Sequence, residues 1–127
     1  MSEREGPRFA AIGHCVPDAA MIRSAVRRVH PTASFVEVSD ESGVTALRGT
    51  GAIRLVNRVL DGDFEAEDGI AIIRRELAAD PSGVFVLVSN YPEAQAAAVA
   101  LGARRGFGKS QLHAPETAEI LRAIASS

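Results

Sequence analysis

Short apolar runs alternate along this chain with longer stretches whose apolar residues fall at helical spacing. Phe9-Ala10-Ala11-Ile12, Ser34-Phe35-Val36-Glu37-Val38, Ala52-Ile53-Arg54-Leu55-Val56 and Val84-Phe85-Val86-Leu87-Val88 are rich in β-branched residues and stop at turn formers, which predicts strands. A fifth and shorter strand is predicted through Gly106-Phe107-Gly108, delivering Lys109 at its end. Between them, Ile22, Ala25, Val26 and Val29 mark one helix, with Pro17-Asp18 as its cap and His30-Pro31 as its stop. Asp40-Glu41-Ser42 starts a short second helix through Val44 to Arg48, closed at Gly49. Ile70, Ile73 and Leu77 mark a third, ended by Asp80-Pro81-Ser82-Gly83. An alanine-rich fourth closes at Gly102, and Pro115-Glu116 opens a fifth that carries Ala118, Leu121, Ile124 and Ala125.

Strands and helices in strict alternation with short loops predict an α/β domain, a parallel sheet covered by helices on both faces. Right-handed crossovers leave few topologies, and for a chain of 127 residues the flavodoxin-like (βα)5 order 2-1-3-4-5 is the expectation. One domain over residues 1–127 is expected, with residues 1–7 a flexible tail and the last two residues loose. Fourteen basic against sixteen acidic side chains give no global field toward nucleic acid or an anionic membrane. With no apolar run near the ~18 residues a span needs, and a charged start unlike a signal peptide, the chain reads as cytoplasmic. The single Cys15 has no second thiol for a disulfide or a metal knuckle.

Residues at the predicted strand ends carry a resemblance. Ser89 ends the fourth strand, Gly102-Ala103 closes the following helix, Lys109 follows the fifth strand, and Asp68-Gly69 opens the third helix. Together these resemble the receiver domain of bacterial response regulators over nearly the whole chain. The resemblance implies a phosphoryl site with three requirements: an aspartate ending the third strand, an acid pair after the first strand to hold Mg²⁺, and the hydroxyl and lysine that gather the phosphoryl oxygens. Here the acid-pair positions are Gly13 and His14, and the acceptor position is Asn57. Magnesium prefers carboxylate and water oxygens, and a carboxamide has no anionic oxygen to attack phosphorus. The expectation is therefore a degenerate site of Asn57, Ser89, Lys109, Gly13 and His14, with no metal and no cofactor, in which the Asn57 carbonyl accepts a hydrogen bond from Lys109. Gly106 stands where the family has an aromatic that rotates on phosphorylation, and Ser110 stands where it has proline.

A rival register uses Asp61, seven positions before Asp68, as acceptor. It requires the third strand to reach Leu60, which would bury Arg58 inside a parallel strand at high cost. A small hydrolase built on Ser89 with His14 as base would lack an orienting group and an oxyanion hole. His14-Cys15 alone has no matching ligand set, and the acidic run from Asp61 to Asp68 departs from the EF-hand pattern, with Ala66 in place of glycine and Ile72 in place of glutamate. Its carboxylates are the remaining candidates for a divalent ion.

The reading that follows is a stand-alone receiver-like module, not an enzyme, acting in two-component signal transduction through contacts with a protein. A histidine kinase or an output protein is the partner the resemblance implies. It also points to the face made by the fourth helix, fifth strand and fifth helix for partner binding or a homodimer.

Overall fold

A computed structural model of the chain describes residues 6–125. Its elements are β1 (Arg8–Ile12), α1 (Val16–Val29), β2 (Ser34–Val38), α2 (Glu41–Thr45), β3 (Ile53–Asn57), α3 (Gly69–Ala79), β4 (Val84–Val88), α4 (Pro92–Leu101), β5 (Arg104–Phe107) and α5 (Pro115–Ala125), with a 3-10 turn over Lys109–Gln111. The strands form one parallel sheet in the order 2-1-3-4-5, as the alternation predicts.

Side chains alternate across the sheet and divide the core in two. Phe9, Leu55, Val86, Val88 and Phe107 pack with Ile22 and Val26 of α1 and with Leu121 and Ile124 of α5. On the other face, Ile12, Val56, Phe85 and Leu87 pack with Val44 of α2, Ile72 and Ile73 of α3, and Ala94 and Ala98 of α4. Each fully buried aliphatic or aromatic side chain of this kind stabilises the fold by about 1.5–3 kcal/mol relative to exposure. No helix among the described residues is long and apolar enough to cross a membrane.

Several boundaries differ from the sequence expectation. Helix α1 starts one residue earlier, with Cys15 at the capping position and Pro17 in the first turn, so Asp18 lies inside the helix instead of capping it. Helix α2 ends at Thr45, and residues 46–49 continue as turn. Its start is as expected: the Asp40 carboxylate accepts from the Gly43 N–H. Asp68 caps α3 in the same way through the Ala71 N–H. Gly6 and Pro7 are bonded to the start of β2 and the turn before it, the Gly6 N–H donating to the Thr32 carbonyl and the Ser34 N–H to the Pro7 carbonyl. The looseness expected of residues 1–5 and of the last two residues lies outside the described residues.

A charged cluster sits where β3 begins, at the opposite end of the sheet from the carboxyl ends of the strands. Arg54, the second residue of β3, is almost wholly buried; it donates to Asp80 at 2.9 Å and to the Leu47 carbonyl at 2.7 Å, and its guanidinium lies 4.7 Å from the centre of the Phe85 ring. Nearby, buried Glu76 of α3 receives two bonds from Arg48, at 2.8 and 2.7 Å, and one from Arg75. Arg48 first and then Arg75 hold the Glu76 carboxyl below its usual range.

Candidate functional site at the carboxyl edge of the sheet

Because all five strands run parallel, their carboxyl ends meet along one edge. Gly13 and His14 follow β1, Asn57 ends β3, Ser89 follows β4, and Lys109 lies two residues beyond β5. A cleft of about 500 Å³ opens there, and Asp18, Asn57, Asp61, Ser89 and Lys109 all line it. Thus four of the residues singled out from the sequence share one cleft, joined by Asp18 from α1. Gly13 and His14 do not line it and are buried.

The strand ends are tied to one another in a way that sets their chemistry. The Asn57 side-chain nitrogen donates to the Gly13 carbonyl at 2.9 Å and to the Val59 carbonyl at 2.6 Å. Gly13 also accepts from the Asp61 N–H at 2.8 Å, so the loop after β3 folds back over the end of β1. Gly13 itself has φ +78°, a conformation that favours glycine, and a Cβ there would lie 2.6 Å from a methyl of Leu60. Leu60 thereby fills the place where a side chain at position 13 would stand.

His14 is buried and its Nε2–H donates to the Leu55 carbonyl at 2.9 Å. A carbonyl can only accept, so Nε2 carries the proton of the neutral ring and Nδ1 is the bare nitrogen; Nδ1 is buried without a hydrogen-bond partner among the described residues. Burial lowers the imidazole pKa to about 4, with the Lys109 charge acting in the same direction. Mg²⁺ prefers carboxylate oxygens, and the two positions after β1 offer a glycine backed by leucine and a buried imidazole committed to a carbonyl. They do not fit the ion.

Lys109 is not bonded to Asn57, in contrast to the sequence expectation. Its ammonium donates to the Asp18 carboxylate at 2.8 Å. The cause is the preceding tie: Asn57 presents its nitrogen to Gly13, while the first turn of α1 carries a full negative charge within reach of the lysine. Lys109 holds the Asp18 carboxyl below its usual range. Asp18 is the site residue that sequence reading missed as such; its position near a helix start suggested only a cap.

The remaining candidates are placed as follows. Asp61 lies four residues beyond the end of β3, exposed, in the loop rather than on a strand. Ser89 Oγ accepts from the Tyr91 N–H at 3.1 Å and shows no bond to His14. Arg58 stacks over the Tyr91 ring at 4.9 Å on the cleft rim. The acidic loop is pinned by backbone bonds: the Glu41 carboxylate accepts from the Glu65 and Ala66 N–H groups, and the Asp63 N–H donates to the Ser39 carbonyl. Among the described residues no group of three or more His, Cys, Asp or Glu side chains is arranged to hold a metal ion.

The residue in place of the rotating aromatic also has a structural reason. A Cβ on Gly106 would overlap the Leu87 carbonyl oxygen of β4, so that position has no room for a side chain. Phe107, one residue on, is buried in the core on the α1 and α5 side. Gln95 of α4 fills the space beside Gly106, accepting from the Gly106 N–H at 3.0 Å and donating to the Leu87 and Ser89 carbonyls at 2.9 and 3.1 Å.

No family model matches the chain, and no curated protein matches it in sequence. Solved structures do match in fold. A response regulator from Thermotoga maritima superposes with a TM-score of 0.74 at 19% identity, covering 96% of this chain and 99% of that one. The signal receiver domain of a DNA-binding response regulator from Colwellia psychrerythraea 34H gives 0.71 at 16% identity, with 95% and 99% covered. The non-phosphorylated receiver domain of the stress response regulator RcsB from Escherichia coli gives 0.71 at 17%, with 94% of each chain covered. The fold of this chain, with its strand order and its helices on both faces, is the flavodoxin-like fold of response-regulator receiver domains.

Proposed function

We propose that this chain is a receiver-like module of cytoplasmic signal transduction that acts through protein contacts, without phosphorylation by the mechanism of the family it resembles and without enzymatic turnover of its own. The observation that carries the reading is the tie at the strand ends. Asn57 ends β3, where the resemblance puts the acceptor, with its amide bound to the Gly13 and Val59 carbonyls, over a β1 end that supplies no carboxylate. A carboxamide is not a nucleophile toward phosphorus, and the two positions after β1 supply no carboxylate to hold a metal ion beside it.

The expected result is that acetyl phosphate with Mg²⁺ leaves the intact mass of the protein unchanged. A phosphoryl adduct mapped to Asp61 would replace this reading with the shifted register; that residue's exposure and its place on the cleft are what keep the alternative specific.

Restoring a carboxylate alone is expected to fail. Asn57→Asp should leave labelling at background while destabilising the domain by about 1–3 kcal/mol, because it removes two donated hydrogen bonds and sets an anion against two carbonyl oxygens. Labelling and urea denaturation of the same variant check both halves. Efficient labelling would show that Gly13 and His14 are no obstacle.

A histidine kinase or an output protein is the partner class that the fold likeness suggests. The contact face is that of α4, β5 and α5. Val99 of α4 is half-exposed, and a groove of about 370 Å³ runs between Arg104 and Arg105 of β5 and Glu116, Glu119 and Ile120 of α5. Its apolar floor and charges of both signs suit a protein partner better than a polyanion.

A further inference from the structure

Asp18 and Lys109 lie 91 positions apart in sequence and meet only because α1 begins beside the end of β5. Their side chains are 30% and 26% exposed, so the pair sits at the mouth of the cleft and is neither buried nor free in solvent. The Cys15 side chain, after Lys109, also helps to hold the Asp18 carboxyl below its usual range. Lys109 and Arg58 are the cations that line the cleft, and Arg58 rests on the Tyr91 ring. Ser89 Oγ accepts from the Tyr91 N–H, which leaves its own proton available to donate. Without Asp18, this edge would present an ammonium, a hydroxyl and a guanidinium to the same small volume, an arrangement that attracts oxyanions.

We propose that Asp18 is a built-in counter-anion: its carboxylate occupies the ammonium of Lys109 and excludes small external oxyanions from the cleft. A carboxylate matches the charge and hydrogen-bonding geometry of the ligand it replaces, and being part of the chain it acts at a high effective concentration. A second anion arriving at Lys109 would have to displace Asp18 or lie beside a like charge, and both weaken its binding. Asp61, which also lines the cleft, adds to the repulsion, while His14 behind it is neutral at pH 7. The inference concerns reversible anion binding and does not rest on the signalling reading, since covalent labelling and reversible binding are measured separately.

The test titrates inorganic phosphate and, separately, sulfate at constant ionic strength against the wild-type protein, Asp18→Asn and Asp18→Asn/Lys109→Met. Backbone amide shifts of Ser89, Asn90 and Ser110 and the melting temperature are followed. Asp18→Asn is expected to bind phosphate saturably, at least about tenfold more tightly than wild type, and the double variant is expected to lose that gain. Equal affinity in wild type and Asp18→Asn, including no measurable binding in either, overturns the proposal, as does a gain that survives Lys109→Met. Asp18→Ser, a residue tolerated in a first helical turn, serves as the second variant should the amide variant fold poorly. The ¹⁵N resonance of the Lys109 ammonium then reports directly whether its partner has been lost.

Discussion

Arg54→Ala is expected to destabilise the domain by about 3–5 kcal/mol, the largest effect of any single change considered for this protein. Arg54 is among the largest fully buried side chains, in the central strand, and its charge is tolerated there because every direction is answered. Asp80 meets it at 2.9 Å, the Leu47 and Ala52 carbonyls accept from it, and the Phe85 ring lies under the guanidinium. Truncation leaves a cavity on the α2, α3 and α4 side and leaves Asp80 with the Gly49 N–H as its chief partner. That N–H first, and Arg54 second, hold the Asp80 carboxyl below its usual range. A folded-state pKa below the unfolded one gives stability that is present above the unfolded carboxylate value and is lost as pH falls through the folded one. In Arg54→Ala this acid sensitivity should therefore shrink along with the total. Urea denaturation at pH 7 and at pH 3 measures both. The companion variant Arg54→Met/Asp80→Leu, which replaces both charges by apolar groups, is expected to recover much of the loss. A single truncation costing under about 1 kcal/mol would mean that the pair is effectively solvated.

The second large effect is a dependence on mild acid that belongs to His14. The unfolded imidazole takes up its proton near pH 6.5, whereas the buried ring does so only near about 4. Between those values the unfolded chain binds the extra proton, so the stabilisation is fully present above pH 6.5 and declines as pH falls toward 4. The difference amounts to about 3 kcal/mol across the window. His14→Gln removes the titrating group while keeping a side-chain N–H that can reach the Leu55 carbonyl. Its denaturation midpoint is expected to be flat from pH 6.5 down to about 5.5, where that of the wild type slopes, before the depressed carboxyls begin to contribute. The carboxyls of Asp18, Glu41, Glu76 and Asp80 are all held low, so their own losses begin only as pH falls toward the ordinary carboxylate values of 3.8 to 4.5 and leave the upper part of this window to His14. A histidine at a strand end is an ordinary residue in a sequence; its burial against a carbonyl makes it a sensor of acid.

How much of this was legible depended on whether a feature is written in neighbouring residues or in distant ones. The first four strands, the α3 and α5 helices and the αL glycine that closes α4 follow from local patterns, whereas β5 runs from Arg104 to Phe107, starting two residues before the expected Gly106 and stopping short of Gly108; the strand order follows from alternation and handedness. Asn57, Ser89 and Lys109 could be placed at strand ends because each sits next to its own strand. The partner of Lys109 could not. Asp18 comes from a helix start 91 residues away, and near a helix start an aspartate also reads as a cap. Arg54 shows the same limit. Inside an apolar run it looks like an interruption of the strand, and the residue that makes it tolerable is Asp80, which in sequence is part of a turn that ends a helix. Gln95 went unnoticed because an amide in an alanine-rich helix has no periodicity of its own.

Gln95 has one further consequence. Its amide group joins α4 to the ends of β4 and β5 by three hydrogen bonds, each worth about 1 kcal/mol, at the place where Gly106 leaves no room for a ring to swing. A module with two shapes reports by changing which shape is populated. Where the joint between helix and strand is cross-braced in this way, a change of shape there has to break those bonds. On the proposed signalling reading, a partner at this face would respond to how much of the protein is present, by mass action.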